Sequence, residues 1–529
     1  MLYPDLYCFI NAQSVLHSML ESHCHSSDCL AFSLVSKKML EQIKGNPNST
    51  FEVYSLHKLY ETIARQLTER IDQGLYLPGD RIPGVRKLGE QFGVSISTVV
   101  QAQRLLEDEG RIEARPRSGY YVRAQPWPVP NPPALSRPSI KPTPVTGQEL
   151  VLRLIQTTNE ADFVQLGTAV PHSNFLPTRA IQRSLSSIAR KYGHELSTYQ
   201  FPPGNPELRR QIARRMAEAG CQTHPDDIII TSGCQEALTL CLQTIAKPGD
   251  IIAIESPAFY GLLQAIEVLG MKALEIPTDP HTGISLPALS LALEKWPVKT
   301  CALVPNFSNP LGCTMPDKNK QALLDLLAQF DIPLIEDDIY GDLGFAAKRP
   351  RAVSAFKHNE QVLYCSSFSK SLSPGLRIGW VIPGKYREQI EYRKYVTNLA
   401  TPTLPQYAIA DFLQQGSYDR YLRQVRRDYQ RQVSIMIRAV GKYFPQETRV
   451  TQPQGGFVIW IELPKKVDSL QLCQQALTQR ISIAPGQIFS ATQKYQNFIR
   501  LNCAQPWNEA LEKAMITLGR MAHELNKPG

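Results

Sequence analysis

Apolar residues recur at steps of three and four early in the chain and as short unbroken runs later. The change of period predicts two kinds of domain. Leu56, Leu59, Ile63, Leu67 and Ile71 place one apolar face on a first helix, which Gly74 and Pro78-Gly79 stop. A short helix is expected from about Val85 to Phe92. Gly93 turns the chain, and Ser95 or Ser97 caps a third helix running through Glu109, with Gly110 as its stop. Arg111 to Val122 then alternates around Pro116-Arg117-Ser118-Gly119, the pattern of a tight hairpin.

From about residue 150 the pattern changes. Ile228-Ile229-Ile230-Thr231, Ile251-Ile252-Ala253-Ile254, Ala302-Leu303-Val304, Pro333-Leu334-Ile335 and Val362-Leu363-Tyr364 are continuous apolar runs separated by helical stretches. Such runs predict strands buried on both faces of a mostly parallel sheet. The chain after about 415 reads as helical and then as strands such as Phe457 to Ile461, a smaller closing domain. The expected class is therefore multidomain α/β.

Between the two patterns, residues 124–148 hold eight prolines and no Asp or Glu. This predicts a polyproline linker without strand or helix, because prolines remove donors and break helices. In polyproline form its 25 residues would reach roughly 75 Å at about 3.1 Å per residue. Residues 1–54 read as an irregular extension. His23-Cys24-His25, Cys29 and Cys8 have a spacing a metal can use, but no metal is expected. The domain plan is thus 1–54, 55–123, 124–148 and 149–529.

Composition changes this picture little. The chain has 529 residues and a net charge of +9, with no apolar run of membrane-spanning length. Asp5 and the lack of a basic n-region argue against a signal peptide. Eleven scattered cysteines fit a reducing cytoplasm better than a disulfide framework. Residues 55–123 carry 11 Lys/Arg against 9 Asp/Glu. Any nucleic-acid role there rests on pattern, not bulk charge.

Helices joined by a glycine turn and followed by a hairpin form a winged helix-turn-helix. Its third helix would offer Ser95, Ser97, Thr98 and Gln101 to the major groove of double-stranded DNA. Arg86 and Arg104 would meet phosphate, and the wing would offer Arg115 and Arg117. A helical protein-interaction module is the bland alternative. Pro78-Gly79-Asp80-Arg81-Ile82-Pro83, Gly93-Val94-Ser95-x-Ser97-Thr98-Val99, Leu105-Leu106-Glu107 and Arg115-Pro116-x-Ser118-Gly119-Tyr120-Tyr121-Val122 resemble the DNA-binding domain of the GntR family. The match departs at Ile96 and Gln101, where that family more often carries basic residues.

The later region carries a second chemistry. Lys370 stands in Ser367-Phe368-Ser369-Lys370-Ser371, with Arg377 seven residues on. A lysine for a Schiff base and an arginine for a phosphate are both needs of pyridoxal 5'-phosphate (PLP). Thr231-Ser232-Gly233-Cys234-Gln235 joins a strand to a helix start, a place that suits phosphate. Phe259, Asn309 and Asp337 with Tyr340 follow other strands. Their order resembles fold-type I PLP enzymes, the aspartate aminotransferase-like class. By that resemblance Lys370 is the Schiff-base lysine, Asp337 pairs the pyridinium, Tyr340 and Asn309 contact the ring oxygen, and Phe259 stacks on the ring. Ser232, Gly233, Cys234, Gln235, Ser367 and Arg377 hold the phosphate. Tyr199 reaches the phosphate of a partner subunit in a head-to-tail homodimer, and Arg500 binds a substrate carboxylate.

A GntR-type reader joined to such a domain resembles the MocR subfamily of bacterial regulators. The expected function is a cytoplasmic, PLP-dependent transcription regulator that senses an amino acid, an amine or vitamin B6. The alternative is a working aminotransferase with a DNA-binding or oligomerisation module in front.

Overall fold

The computed structural model describes residues 59–72, 75–116, 118–123, 130–156, 160, 162–357 and 361–527. Leu56, Gly74, Arg117, the proposed extension 1–54 and the first part of the linker lie outside the described residues.

The front module forms as its periodicity predicts. Helices Leu59–Asp72, Val85–Phe92 and Ile96–Asp108 precede the hairpin of β1 (Ile112–Arg115) and β2 (Gly119–Val122). Ile63, Leu67, Leu88, Val99, Ala102, Leu106, Ile112 and Val122 are buried together as its core residues, whereas Leu59 stays exposed. Gly93 ends the second helix in the left-handed region at φ 64°, which an L side chain resists. Ser95, not Ser97, is the N-cap of the third helix and accepts from the Thr98 N–H at 3.2 Å.

The expectation that residues 124–148 carry no strand is corrected. β3 (Thr143–Pro144) pairs antiparallel with β7 (Lys272–Asp279) at the edge of the central sheet. An edge position tolerates proline because its missing N–H is not needed for a further strand. With residues 130–148 laid on the body of the protein, the 75 Å reach is not available. Residues 124–129 alone span at most roughly 20 Å.

The central sheet also contains β5 (Ile229–Thr231), β6 (Ile251–Ser256), β8 (Gly283–Ile284), β9 (Val298–Leu303), β10 (Leu334–Asp337), β11 (Val362–Ser367) and β12 (Gly379–Ile382). Its order is β3-β7-β6-β9-β10-β11-β12-β5, with β8 paired to β7. β7, β6, β9, β10 and β11 are mutually parallel, and β12 runs against both β11 and β5. Helices cover both faces, so the strands are buried along most of their length. This is why they read as unbroken apolar runs. A short parallel pair, β4 (Val164–Gln165) with β15 (Ile481–Ser482), ties the start of this domain to its end.

A second sheet takes β13 (Arg449–Val450), β14 (Val458–Glu462), β17 (Phe498–Asn502) and β16 (Ala484–Pro485) in that order. Helices Ser417–Tyr443, Ser469–Thr478 and Glu509–Asn526 bury apolar residues against it, including Val433, Leu472 and Leu518. It supplies Arg500. The C-terminal ends of β5, β6, β9, β10 and β11 supply most of the other cofactor candidates, where open α/β sheets bind ligands, and Arg377 comes from the turn before β12.

Candidate cofactor and active site

β5 ends at Thr231, and the helix Cys234–Ile245 starts three residues later with Gly233 as its N-cap. No side chain caps this helix, so its first N–H groups point outward unpaired by a cap. Gly233 has φ 89°, and a Cβ there would run into the Arg377 guanidinium. Arg377 donates to the Ser232 carbonyl at 2.8 Å and to Ser369 Oγ at 3.3 Å. The turn is thus a tight, positively polarised cradle, which suits a phosphate. Ser232 is also tied into the turn through its backbone. Its own N–H donates to Glu236 Oε2, and Glu236 is held by Lys394 Nζ at 3.1 Å and Asn398 Nδ2 at 2.8 Å.

Beside the cradle lies a cavity of about 120 Å³. Of the expected residues, Cys234, Gln235, Phe259, Asn309, Asp337, Tyr340, Ser367, Lys370 and Arg377 line it. Leu238, Val304, Ile339 and Ser369 also line it and were not foreseen. Ser369 was legible as a second hydroxyl beside Lys370; Val304 and Ile339 give no signal beyond their place after buried strands, and Leu238 none beyond its place in the helix after the cradle.

Lys370 Nζ donates to the Ala169 carbonyl at 2.6 Å. Burial, and then the nearby Arg500 and Arg377 charges, pull its pKa down to about 8. A neutral amine is therefore accessible near physiological pH, as a nucleophile requires. At the other end Asp337 is buried, and burial pushes its carboxyl up to about 6. Its Oδ1 accepts from Cys234 Sγ and from the Ile339 N–H, each at 3.2 Å. Asp338 is locked by Asn306, Arg349 and Tyr364 at 2.9, 2.7 and 2.9 Å, which fixes the strand end carrying Asp337. Asn309 Nδ2 lies 3.4 Å from the Tyr340 hydroxyl, so these two side chains converge as expected.

Arg500 is fully buried on β17. Its Nη1 reaches Asn309 Oδ1 at 3.4 Å and its Nη2 the Gly167 carbonyl, while its Nε has no hydrogen-bond partner. Burial pulls its pKa below the ordinary guanidinium value. Among the described residues this buried cation has no acidic partner, which leaves it able to pair with a carboxylate. Tyr199 does not line the cavity. It is 66% exposed and packs on Phe201 at 5.4 Å between ring centroids.

In the front module Arg86, Ser95, Ser97, Gln101, Arg104 and Arg115 are exposed and Thr98 is half-buried. The Ser97 and Thr98 hydroxyls both lie 2.8 Å from Ser95 Oγ, so the cap already engages them. Arg115 pairs with Glu113 at 2.8 Å and lies over the Tyr121 ring. Among the described residues no cluster of His, Cys, Asp or Glu is placed to hold a metal.

A lysine of lowered pKa, a buried carboxylate and a phosphate cradle at the ends of parallel strands define a PLP-dependent protein of fold type I. Ahead of it stands a winged helix-turn-helix. Residues 162–518 match the family described as aminotransferase class I and II, and residues 59–122 match bacterial regulatory proteins of the gntR family. The chain belongs to the aminotransferase class I and II family and carries a gntR-family domain in front, which is the MocR layout.

It is 43% identical to the uncharacterized HTH-type transcriptional regulator YjiR of Escherichia coli, over 88% of this chain and 98% of that protein. It is 28% identical to aromatic-amino-acid aminotransferase 1 of Thermococcus litoralis, over 71% of this chain and 90% of the other. Among solved structures it resembles the Thermus thermophilus α-aminoadipate aminotransferase LysN, complexed with N-(5'-phosphopyridoxyl)-L-leucine. That likeness has a TM-score of 0.66 and 27% identity, covering 72% of this chain and 95% of the other. The family's cofactor is PLP, and the cradle, cavity and Lys370 of this chain fit it.

Proposed function

We propose that this protein is a PLP-dependent transcription regulator whose cofactor cleft senses an amino acid, another amine or vitamin B6. In this reading residues 55–123 are the reader of double-stranded DNA, 124–148 its tether and 149–529 the sensor, behind an extension of residues 1–54. When bound, PLP supplies an electrophilic aldehyde and an electron-withdrawing ring. Lys370 supplies the amine that holds it, Asp337 keeps a negative charge at the ring nitrogen, and Arg377 with the helix start neutralises the phosphate. Arg500 orients an incoming carboxylate. The same set would serve a working aminotransferase, so the site alone does not choose between the two.

The observation that carries the regulatory reading is where the tether docks. The Val450 N–H donates to the Asn131 carbonyl at 2.9 Å, and the Ala134 N–H to Glu462 Oε2 at 3.0 Å. Both contacts are on the small sheet that carries Arg500. Two residues on, Ser136 Oγ donates to the Ser256 carbonyl at 2.7 Å, at the end of β6 in the large sheet. The tether therefore crosses the seam between the sheets. A ligand held by Lys370 on one side and Arg500 on the other draws on the same seam. Differential affinity for two arrangements of the sheets then reaches the reader through its own tether.

The partner proposed is a second copy of this chain, arranged head to tail. Tyr199, Phe201, Tyr392, Tyr395 and Val396 form an exposed aromatic and apolar face. The helix Arg387–Asn398 that carries part of this face also donates from Asn398 Nδ2 to Ser232 Oγ at 2.9 Å. The face therefore adjoins the phosphate cradle, where Tyr199 of the partner subunit would complete it.

Two assays on the PLP-loaded protein decide the function. One mixes it with single amino acids and amines, follows the visible spectrum, and then adds a 2-oxo acid. The other is a gel shift on the protein's own upstream region. The expected result is a spectral change with some amine, retained DNA binding and no multiple turnover. Sustained turnover without specific DNA binding would replace the regulator by the enzyme.

A further inference from the structure

We propose that Cys234 is a positioning residue for the cofactor site, its thiol fixing Asp337 in the one orientation that leaves Oδ2 for the ring nitrogen. The inference rests on the PLP reading above and adds a residue whose expected place was the phosphate.

Cys234 is the first residue of its helix, so its backbone N–H belongs to the cradle. Its side chain turns the other way and places Sγ 3.2 Å from Asp337 Oδ1. One residue thus spans both ends of the site. The need for such a group follows from the carboxylate itself. The final torsion of an aspartate is broad and nearly two-fold, so hydrogen bonds must choose between its oxygens. The strand end is already rigid, since Asp337 lies in register with Cys365 of β11 and Asp338 is held by three partners. What remains free is the carboxylate rotation. Cys234 Sγ and the Ile339 N–H both donate to Oδ1. No described residue donates to Oδ2.

A thiol is suited to this task. Burial and the neighbouring Asp337 charge raise the Cys234 pKa well above the ordinary thiol value. It therefore keeps its proton and stays a donor at any working pH. A hydroxyl would sit on a shorter bond and reach Oδ1 less well.

The test reads Asp337 and the ring nitrogen directly. Aspartate labelled with 13C at the carboxyl reports the titration of Asp337 in cofactor-free protein. PLP labelled with 15N in the ring reports the proton on the ring nitrogen. Cys234→Ala is expected to raise the Asp337 midpoint by half a pH unit or more. In the loaded protein it should move the ring signal from the pyridinium toward the neutral pyridine position, and Cys234→Ser should lie between Ala and wild type. An Ala variant with both the wild-type midpoint and the wild-type ring signal would overturn the proposal.

A second measurement leaves Cys234 in place. In the infrared difference spectrum between wild type and Asp337→Asn, one S–H stretch should move to higher frequency as its acceptor weakens. No S–H difference would overturn the proposal even where Cys234→Ala does not fold. Failure to bind PLP at all would defeat the cofactor reading instead, and the cofactor-free midpoint would still decide the contact.

Discussion

Lys370 is a nucleophile only while its amine is unprotonated, and the structure sets where that begins. With its pKa pulled to about 8 by burial and by the Arg500 and Arg377 charges, the protonated form dominates below that pH. Covalent attachment of PLP should therefore accelerate with rising pH, about tenfold per unit well below pH 8, and level off above it. Stopped-flow absorbance at several pH values checks this, and a pH-independent rate would contradict it. Lys370→Ala should abolish the borohydride-fixed link while leaving the fold. Gly233→Ala combines a positive φ with a collision at Arg377, and should weaken PLP binding by tenfold or more. An absorbance titration reads that loss.

Most of these side chains were legible because each follows a buried strand, where chain direction alone aims the residue into the cleft. Cys234 and Ser232 were only half legible. Sequence places their backbone at a helix start, but the Cys234 thiol is engaged by Asp337 and the Ser232 hydroxyl by Asn398, both distant in the chain.

The same division holds for whole elements. Strands β5, β6, β9, β10 and β11 appeared where unbroken apolar runs predicted them, because two-sided burial leaves that imprint. β3 left none. It is a two-residue edge strand containing Pro144, and its pairing depends on the exposed edge of β7 rather than on its own composition. The first helix of the reader shows the limit of periodicity, since Leu59 fits the apolar repeat and yet is exposed.

Two element-scale predictions follow from packing and from charge. Leu67 is fully buried in the reader, so Leu67→Ala should cost about 2–5 kcal/mol there. DNA binding should fall while the visible cofactor band persists, which a thermal scan and a gel shift together reveal. Arg86 is exposed at the start of the second helix, and Arg86→Ala should reduce the salt dependence of DNA binding by about one unit of slope. An unchanged slope would mean that Arg86 meets no phosphate.

At the scale of the whole molecule, the two sheets, the tether between them and the aromatic face define how a ligand signal can leave the cleft. Glu462 holds the tether on the small sheet through the Ala134 N–H and takes no part in the cofactor site. Glu462→Ala should leave PLP binding and the amine-induced spectral change intact while reducing the effect of that amine on DNA affinity. Light scattering should find a dimer that Tyr395→Glu weakens, because a charge would then enter the proposed interface.

In the proposed regulator the cofactor cleft and the reader are energetically coupled. Fluorescence anisotropy of a labelled upstream duplex, titrated with PLP-loaded protein at fixed salt, tests it most directly. The titration is run with and without an amine that changes the visible spectrum. The amine should shift the DNA dissociation constant by about fivefold or more, and DNA should shift the amine affinity by the same factor. In Lys370→Ala the shift should vanish. Identical DNA affinities with and without an amine that visibly occupies the cleft would rule out that coupling.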